Sequence, residues 1–283
     1  MSNRYSKNDS RAVELGQFLA ARRAGVRPEQ VGLPAGTRRR PGLRREEVAM
    51  LAGVGASWYQ WIEQGRAKNV SREILEAISG VLCLDPVEHG YVMRLAGMAE
   101  GPTIARRGDF PLIAEITDAY LPLPAYAVDA YWNVIAANTA AVRLFGERLR
   151  GGNYLQLLFT DPDVRDLFTD WETDASDAVA RFRAHSGGLV DSGCLDEFIG
   201  ELRQSSGVFD ALWGAHDVSD GSCALQDMKH PELGRARFQR VSLNFTCAGG
   251  YRLVLLHPDE PTRQAMHTCW SELGEPIRRA VNV

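Results

Sequence analysis

Five arginines fall within eight positions, Arg38, Arg39, Arg40, Arg44 and Arg45, and guanidinium groups at that density suit bidentate contact with phosphate. Arg44 and Arg45 also open a helical pattern, where the positive end of the helix dipole disfavours cations, so their position implies an anionic partner. The stretch they begin, RREEVAMLAGVGASWYQWIEQGR over residues 44–66, reads as helix, tight turn, helix. Glu46 to Ala52 form the first helix, Gly53 the turn, Val54 the apolar plug, and Ala56 to Gln64 the second helix. Tyr59 and Ile62, three apart, bury one face of that second helix against Val48 and Leu51. Trp58 and Trp61 make a second apolar stripe, which either packs beneath the segment from Gly25 to Gly42 or leaves Trp61 facing a groove of double-stranded DNA.

Covalent chemistry has less to work with. His216 beside Asp217, and His230 before Pro231, invite an enzymatic reading, but the chain has no G-x-S-x-G nucleophile turn, no G-x-x-x-x-G-K-[ST] loop and no G-x-G-x-x-G. Gly53-Val54-Gly55 belongs to the turn between two helices, and Ser205-Ser206 to a helix-ending turn. Cys83, Cys194, Cys223, Cys247 and Cys269 are odd in number and at least 22 residues apart, which implies free buried thiols rather than disulfides or a zinc site. No catalytic residue, metal or cofactor is expected.

The elements that position the arginines and aromatics come in two styles. From Arg11 to Gly97 the pattern is helical, broken at Gly25, Pro41-Gly42, Gly53, Gly65 and Asp85-Pro86, which makes five short helices. The last starts with Asp85 as N-cap and Pro86 in the first helical position. Glycines from Gly97 to Gly108 mark a linker at 98–109. Beyond it, Ala125 to Val128 and Trp132 to Ala136 read as strands about a turn at Asp129-Ala130, and Asn138 caps a helix that Gly146 ends. Further helices follow: one opened by Asp161-Pro162, one from Glu172 to His185, and one holding Leu195, Phe198, Ile199 and Leu202. Val241, Leu243 and Phe245 alternate with polar residues, Gly249-Gly250 turns the chain, and Tyr251 to Leu256 runs back as a strand. The expected architecture is multidomain: an all-α five-helix domain at 11–97, the linker, an α+β domain at 110–260, and a tail or helix at 261–283.

The net charge of −4 over 283 residues conceals a division. Residues 1–107 hold 17 Lys and Arg against 11 Asp and Glu, and the remainder 15 against 25. A basic head on an acidic body suits a nucleic-acid-binding module carried by a regulatory one. No apolar run approaches the length of a membrane span, and Met1 to Arg11 lacks the apolar core of a signal peptide, so a cytoplasmic, reducing location is expected.

Residues 14–97, on LGQFLAARRAG, VGLPAGTRRRPGLRREEVA and WYQWIEQGR, resemble the phage-repressor-like (XRE) helix-turn-helix superfamily and, more closely, the MmyB-like transcription regulators. The resemblance implies that Ala56 to Gln64 is a recognition helix lying in the major groove. Ala56, Ser57 and Trp61 then reach base edges, Arg44 and Arg45 meet phosphate, and Gln60, Gln64 and Arg66 complete the DNA-binding surface. From Pro122 to His257, LPAYAVDAYWNVIAAN, NYLQLLFTDPDVRDLFTDWE, FDALWGAHDV and KHPELG resemble the ligand-binding domain of the same regulators. That likeness implies a PAS-like sheet covered by helices, with a fatty acid as ligand.

The residues agree with an apolar site. Trp132, Phe145, Tyr154, Leu158 and Phe159 precede Phe182, Phe198, Phe209 and Trp213 in one domain, most as core and a minority as cavity lining. Asn138, Arg181, Arg203 and His216 are candidate anchors for a carboxylate, as is Arg183. The expected protein is a homodimeric, DNA-binding transcription regulator answering to a small apolar ligand, with no membrane partner. A carboxy-terminal protein-interaction module or a tethered enzyme is the alternative.

Overall fold

The computed structural model describes residues 4–34, 41–67, 69–98, 110–187, 193–221, 223–245 and 250–273. Arg38, Arg39, Arg40, the linker from residue 99 and the last ten residues lie outside the described residues. The chain divides into two compact units. One comprises Met1–Gly101, Arg183–Arg203 and Asp210–Asp220; the other comprises Pro102–Phe182, Gln204–Phe209 and Gly221–Val283.

The first unit is built on α1 (Arg4–Gly25), α2 (Arg45–Leu51), α3 (Ala56–Glu63), α4 (Arg72–Val81) and α5 (Pro86–Leu95). The first helix begins before Arg11, and at 22 residues it is no short element. Its buried Leu15, Phe18 and Leu19 follow the 3.6-residue period and meet Val48, Tyr59, Ile62, Leu75, Ile78 and Val92 in one core. Gly16 permits the close crossing of α1 and α3: a Cβ there would lie 2.3 Å from the Glu63 carbonyl oxygen. In α5 the Asp85 carboxylate accepts from the Val87 and Glu88 amides, and Glu88 accepts in return from the Asp85 amide at 3.0 Å, a closed capping box. Leu51 is exposed, so Val48 alone of the expected pair is buried.

Two later stretches of chain fold with these helices. Arg183 donates to the Glu14 carboxylate, which also accepts from the Tyr91 hydroxyl at 2.8 Å, and Arg22 pairs with Asp217 at 2.7 Å. The Arg183 guanidinium lies 3.8 Å from the Trp213 ring centroid. Burial is the largest single influence on Glu14 and pushes its carboxyl up, yet the hydrogen bond with His216, the Arg183 charge and the Tyr91 bond together hold it below the usual carboxylate range.

The second unit is an antiparallel five-stranded sheet in the order β2-β1-β5-β4-β3, formed by β1 (Ala125–Val128), β2 (Val134–Ala137), β3 (Cys223–His230), β4 (Gly234–Asn244) and β5 (Arg252–Pro258). Between β2 and β3 come α7 (Thr139–Phe145), α8 (Tyr154–Thr160), α9 (Pro162–Leu167), α10 (Trp171–Ser186), α11 (Gly193–Ser205) and α12 (Gly207–Gly214); α6 (Phe110–Asp118) precedes the sheet and α13 (Glu260–Cys269) follows it. Residues of α10, α11 and α12 are shared between the two units. The β1–β2 hairpin, the Asn138 cap and the Gly146 stop fall where the spacing puts them. Trp132 does not lie on a strand: it turns the hairpin with φ 66°, a conformation rare for a bulky residue, while Asp129 accepts from the Tyr131 and Asn133 amides on either side. Strand β3 and the first half of β4 are additions to the sequence reading.

The cysteines differ from expectation. Cys83, Cys194, Cys223 and Cys269 are free and exposed rather than buried, and Cys247 is outside the described residues. No helix among the described residues is long and apolar enough to cross a membrane.

Candidate functional site

Helix α3 buries Tyr59, Ile62 and Glu63 and turns Ala56, Ser57, Gln60, Trp61 and Gln64 to the surface. These five sit at i, i+1, i+4, i+5 and i+8, one continuous helical stripe, so a single element presents every side chain expected to read base edges. Trp61 is 49 % exposed, with its ring edge-on to half-buried Trp58 at 6.1 Å. Of the two arrangements open to these tryptophans, Trp61 takes the exposed one. Arg66 is also exposed, just past the end of α3. Ala56 offers a methyl group and no hydrogen bond.

Arg44 and Arg45 have different fates. Arg44 is the N-cap residue of α2, exposed, with no ion-pair partner among the described residues. Arg45 spans from the start of α2 to α3, where its Nε donates to the Glu63 carboxylate at 2.5 Å. The other Glu63 oxygen accepts from Arg23 Nε, also at 2.5 Å. Two guanidinium groups therefore hold a buried carboxylate below its usual range against the opposing effect of burial. The anionic partner that Arg45 implied in the sequence is thus internal, although half of its side chain stays in solvent.

In the second unit, aromatic rings gather on one side of the sheet. Tyr126 stacks on Tyr154 at 5.2 Å; Phe145 and Trp132 stand edge-on to Tyr154 at 5.9 and 6.0 Å; Phe182 meets Trp132 at 5.5 Å. All five are buried. A second group holds Phe159 edge-on to Trp171 and Phe209, while the Leu158 carbonyl accepts from the Trp171 indole at 3.0 Å. The Arg181 guanidinium lies 4.9 Å from the Trp132 ring centroid, and its Nε donates to Asp177 at 2.8 Å. The same Asp177 oxygen accepts from Arg240 at 2.9 Å. Asp174, one helical turn before Asp177, is pushed up to about 6, chiefly by burial, although Gln226 donates to it.

A family model for the MmyB-like transcription regulator ligand binding domain matches residues 111–268, and a helix-turn-helix model matches residues 14–90. The chain belongs to the MmyB-like transcription regulators. No individual curated protein matches it. As an MmyB-like regulator it joins a DNA-binding helix-turn-helix domain to a ligand-binding domain.

The structure divides the expected ligand residues of this MmyB-like regulator. Trp132, Phe145, Tyr154, Leu158, Phe159, Arg181, Phe182 and Phe209 fall in the sheet-containing unit, whereas Phe198, Arg203, Trp213 and His216 fall in the other. Arg203 is exposed and paired with Asp210, and His216 neighbours Glu14. Asn138 is structural: its Oδ1 accepts from the Ala125 and Ala141 amides, and its Nδ2 donates to the Thr117 and Leu123 carbonyls. All of its hydrogen-bonding capacity is spent on tying α7 to the chain before β1. The sequence reading missed Tyr126 and Arg240. Tyr126 stood in a strand already recognised, but Arg240 sits in the part of β4 that shows only once β3 pairs with it.

Proposed function

We propose that this regulator binds operator DNA through α3 in the major groove and that its sheet domain, PAS-like in architecture, binds a small apolar ligand of the fatty-acid class that modulates that binding. The exposed stripe from Ala56 to Gln64 carries the first half, because the opposite face of the same helix is committed to the core. Arg44 on α2 supplies phosphate contact beside it. The strand order β2-β1-β5-β4-β3, with helices α7 to α12 between its two halves, supports the PAS-like reading. The buried rings of Tyr126, Trp132, Phe145, Tyr154 and Phe182 support an apolar ligand.

Transmission to the operator needs a ligand that favours one arrangement of the protein, and a tenfold change in DNA affinity takes only about 1.4 kcal/mol of difference. Helix α10 is the proposed lever. It carries Arg181 and Phe182 in the sheet-containing unit and Arg183, bonded to Glu14 of α1, among the DNA-binding helices. The test compares operator affinity of full-length protein stripped of small molecules with protein loaded with a long-chain fatty acid, alongside mass spectrometry of what co-purifies. A loaded form that binds the operator with altered affinity supports the reading; identical affinity, with no co-purifying lipid, removes it.

A further inference from the structure

A cavity of about 240 Å³ opens among the helices of the first unit. To its wall α1 contributes Glu14, α5 contributes Tyr91, α11 contributes Leu195, Asp196 and Ile199, and α12 contributes Trp213. None of these residues belongs to the sheet-containing unit. The space suits a small organic molecule rather than a single water, whose share of liquid volume is about 30 Å³.

The bonds around Glu14 leave half of its carboxylate over. Arg183 and the Tyr91 hydroxyl, the latter at 2.8 Å, both donate to Oε1, and His216 Nδ1 approaches the same oxygen at 3.5 Å. Oε2 has no hydrogen-bond partner among the described residues, although the side chain is only 15 % exposed. Arg183 is fully buried and is not part of the cavity wall. Asp196, exposed on α11, adds a second carboxylate. The cation on the wall is Arg203, which already pairs with Asp210 at 2.5 Å. Leu195 and Ile199 are buried and apolar, and the Trp213 and Tyr91 rings stand with them.

This composition discriminates between ligands by charge. An anion would face the carboxylates of Glu14 and Asp196 with a single, already paired guanidinium to meet it. A neutral apolar molecule would shut Glu14 Oε2 away from water without a donor, which is unfavourable for an ionised group. A protonated amine supplies the donor and the opposite charge together, and aromatic faces tolerate a cation beside them.

We propose that this cavity is a second binding site, for a small protonated amine whose ammonium group donates to Glu14 Oε2 and whose short apolar body rests against Leu195, Ile199 and Trp213. The site does not depend on the ligand of the sheet domain. Its wall is shared between two helices of the helix-turn-helix domain, α1 and α5, and two that precede β3, α11 and α12. A bound amine therefore holds these stretches of chain together.

The test uses full-length protein at fixed ionic strength, with n-butylammonium and its uncharged isostere n-butanol as probes. Calorimetric titration is expected to show the amine binding at least about tenfold more tightly than the alcohol. Hydrogen exchange is expected to slow at the backbone amides of α11 and α12 when the amine is added. Two substitutions locate the site. Glu14→Gln removes the charge that the ammonium group meets. Gly200→Leu leaves Glu14 and Arg183 intact and fills space instead, since Gly200 lines the cavity and a Cβ there would meet nothing within 4 Å. Both variants are expected to lose the preference for the amine; if Glu14→Gln fails to fold, Gly200→Leu decides alone. Equal binding of the two probes to the wild type, or binding of neither, overturns the proposal. So does a preference that survives substitution in a folded variant, or slowed exchange confined to the sheet-containing unit.

Discussion

Arginines that look alike in the sequence have unlike roles. Arg44 is exposed at the N-cap of α2, so Arg44→Ala is expected to weaken binding nearly uniformly across DNA sequences and to lower the salt slope by about one unit, with no change in melting temperature; filter binding over a salt series checks it. Arg45 also holds Glu63, so Arg45→Ala should cost about 1 kcal/mol of stability as well, a modest value because half of the side chain is solvated. Ser57 and Trp61, on the exposed stripe, should change site preference instead. Glu63 itself is sensitive to acid. Its folded pKa lies below its unfolded one, so its contribution is present above the unfolded value and lost as pH falls through the folded one. Glu63→Gln leaves two guanidinium groups facing an amide and should cost about 3 kcal/mol at neutral pH. Melting curves should show the gap between wild type and variant narrowing below about pH 4, near where glutamate titrates.

At the scale of elements, the helix-turn-helix depends on α1 and α3 crossing with backbone nearly against backbone. Alanine at position 16 would gain up to about 1 kcal/mol of helix propensity, but its Cβ would stand 2.3 Å from the Glu63 carbonyl oxygen, an atom no rotamer change can move. Overpacking wins, and Gly16→Ala should cost about 2 to 3 kcal/mol net. Because the crossing also sets where Glu63 meets Arg23 and Arg45, operator affinity should fall with stability. A variant as stable as the wild type in chemical denaturation would show that α1 can shift without loss. In the sheet, β4 is the decisive element: alternation along it sends Phe238 and Arg240 inward while Leu243 emerges on the opposite face, so one strand supplies both the apolar floor and the buried cation.

At the scale of the whole molecule, an eight-residue recognition helix reads few base pairs, and a twofold pair of chains doubles the site. Pairing is the expectation here too, with an inverted-repeat operator whose half-sites lie about 34 Å apart or at a multiple of it. The outer face of the sheet offers apolar surface for such pairing, since Leu225 on β3 is 63 % exposed and Leu243 is exposed farther along β4. Sedimentation of Leu225→Asp/Leu243→Asp protein should show a shift toward monomer, together with weaker operator binding and loss of the twofold footprint. An unchanged dimer would place the contact elsewhere, and a single half-site footprint from wild-type protein would remove the pairing itself.

The sequence alone determined what local rules govern. The turn at Gly53 between two short amphipathic helices, the Asp85 start, the Asn138 cap and the β1–β2 hairpin each follow from a few neighbouring residues whose backbone preferences agree. The family resemblance was legible because its motifs sit in those same segments. Tertiary structure decided what depends on partners distant in the chain. CALQDMKH, at 223–230, shows no clean apolar alternation and becomes a strand by pairing with β4. Asn138, polar and placed near the aromatics, looked like an anchor until its four bonds were seen to be taken. Arg203 and His216 lay in the right stretch of sequence and folded with the other unit. Arg240 went unnoticed, because a charged residue in a strand declares itself buried only when the register shows which face it shares and with whom. Hydrogen-bond satisfaction and charge compensation are properties of neighbours in space, and for these residues the neighbours are fixed only by the folded chain.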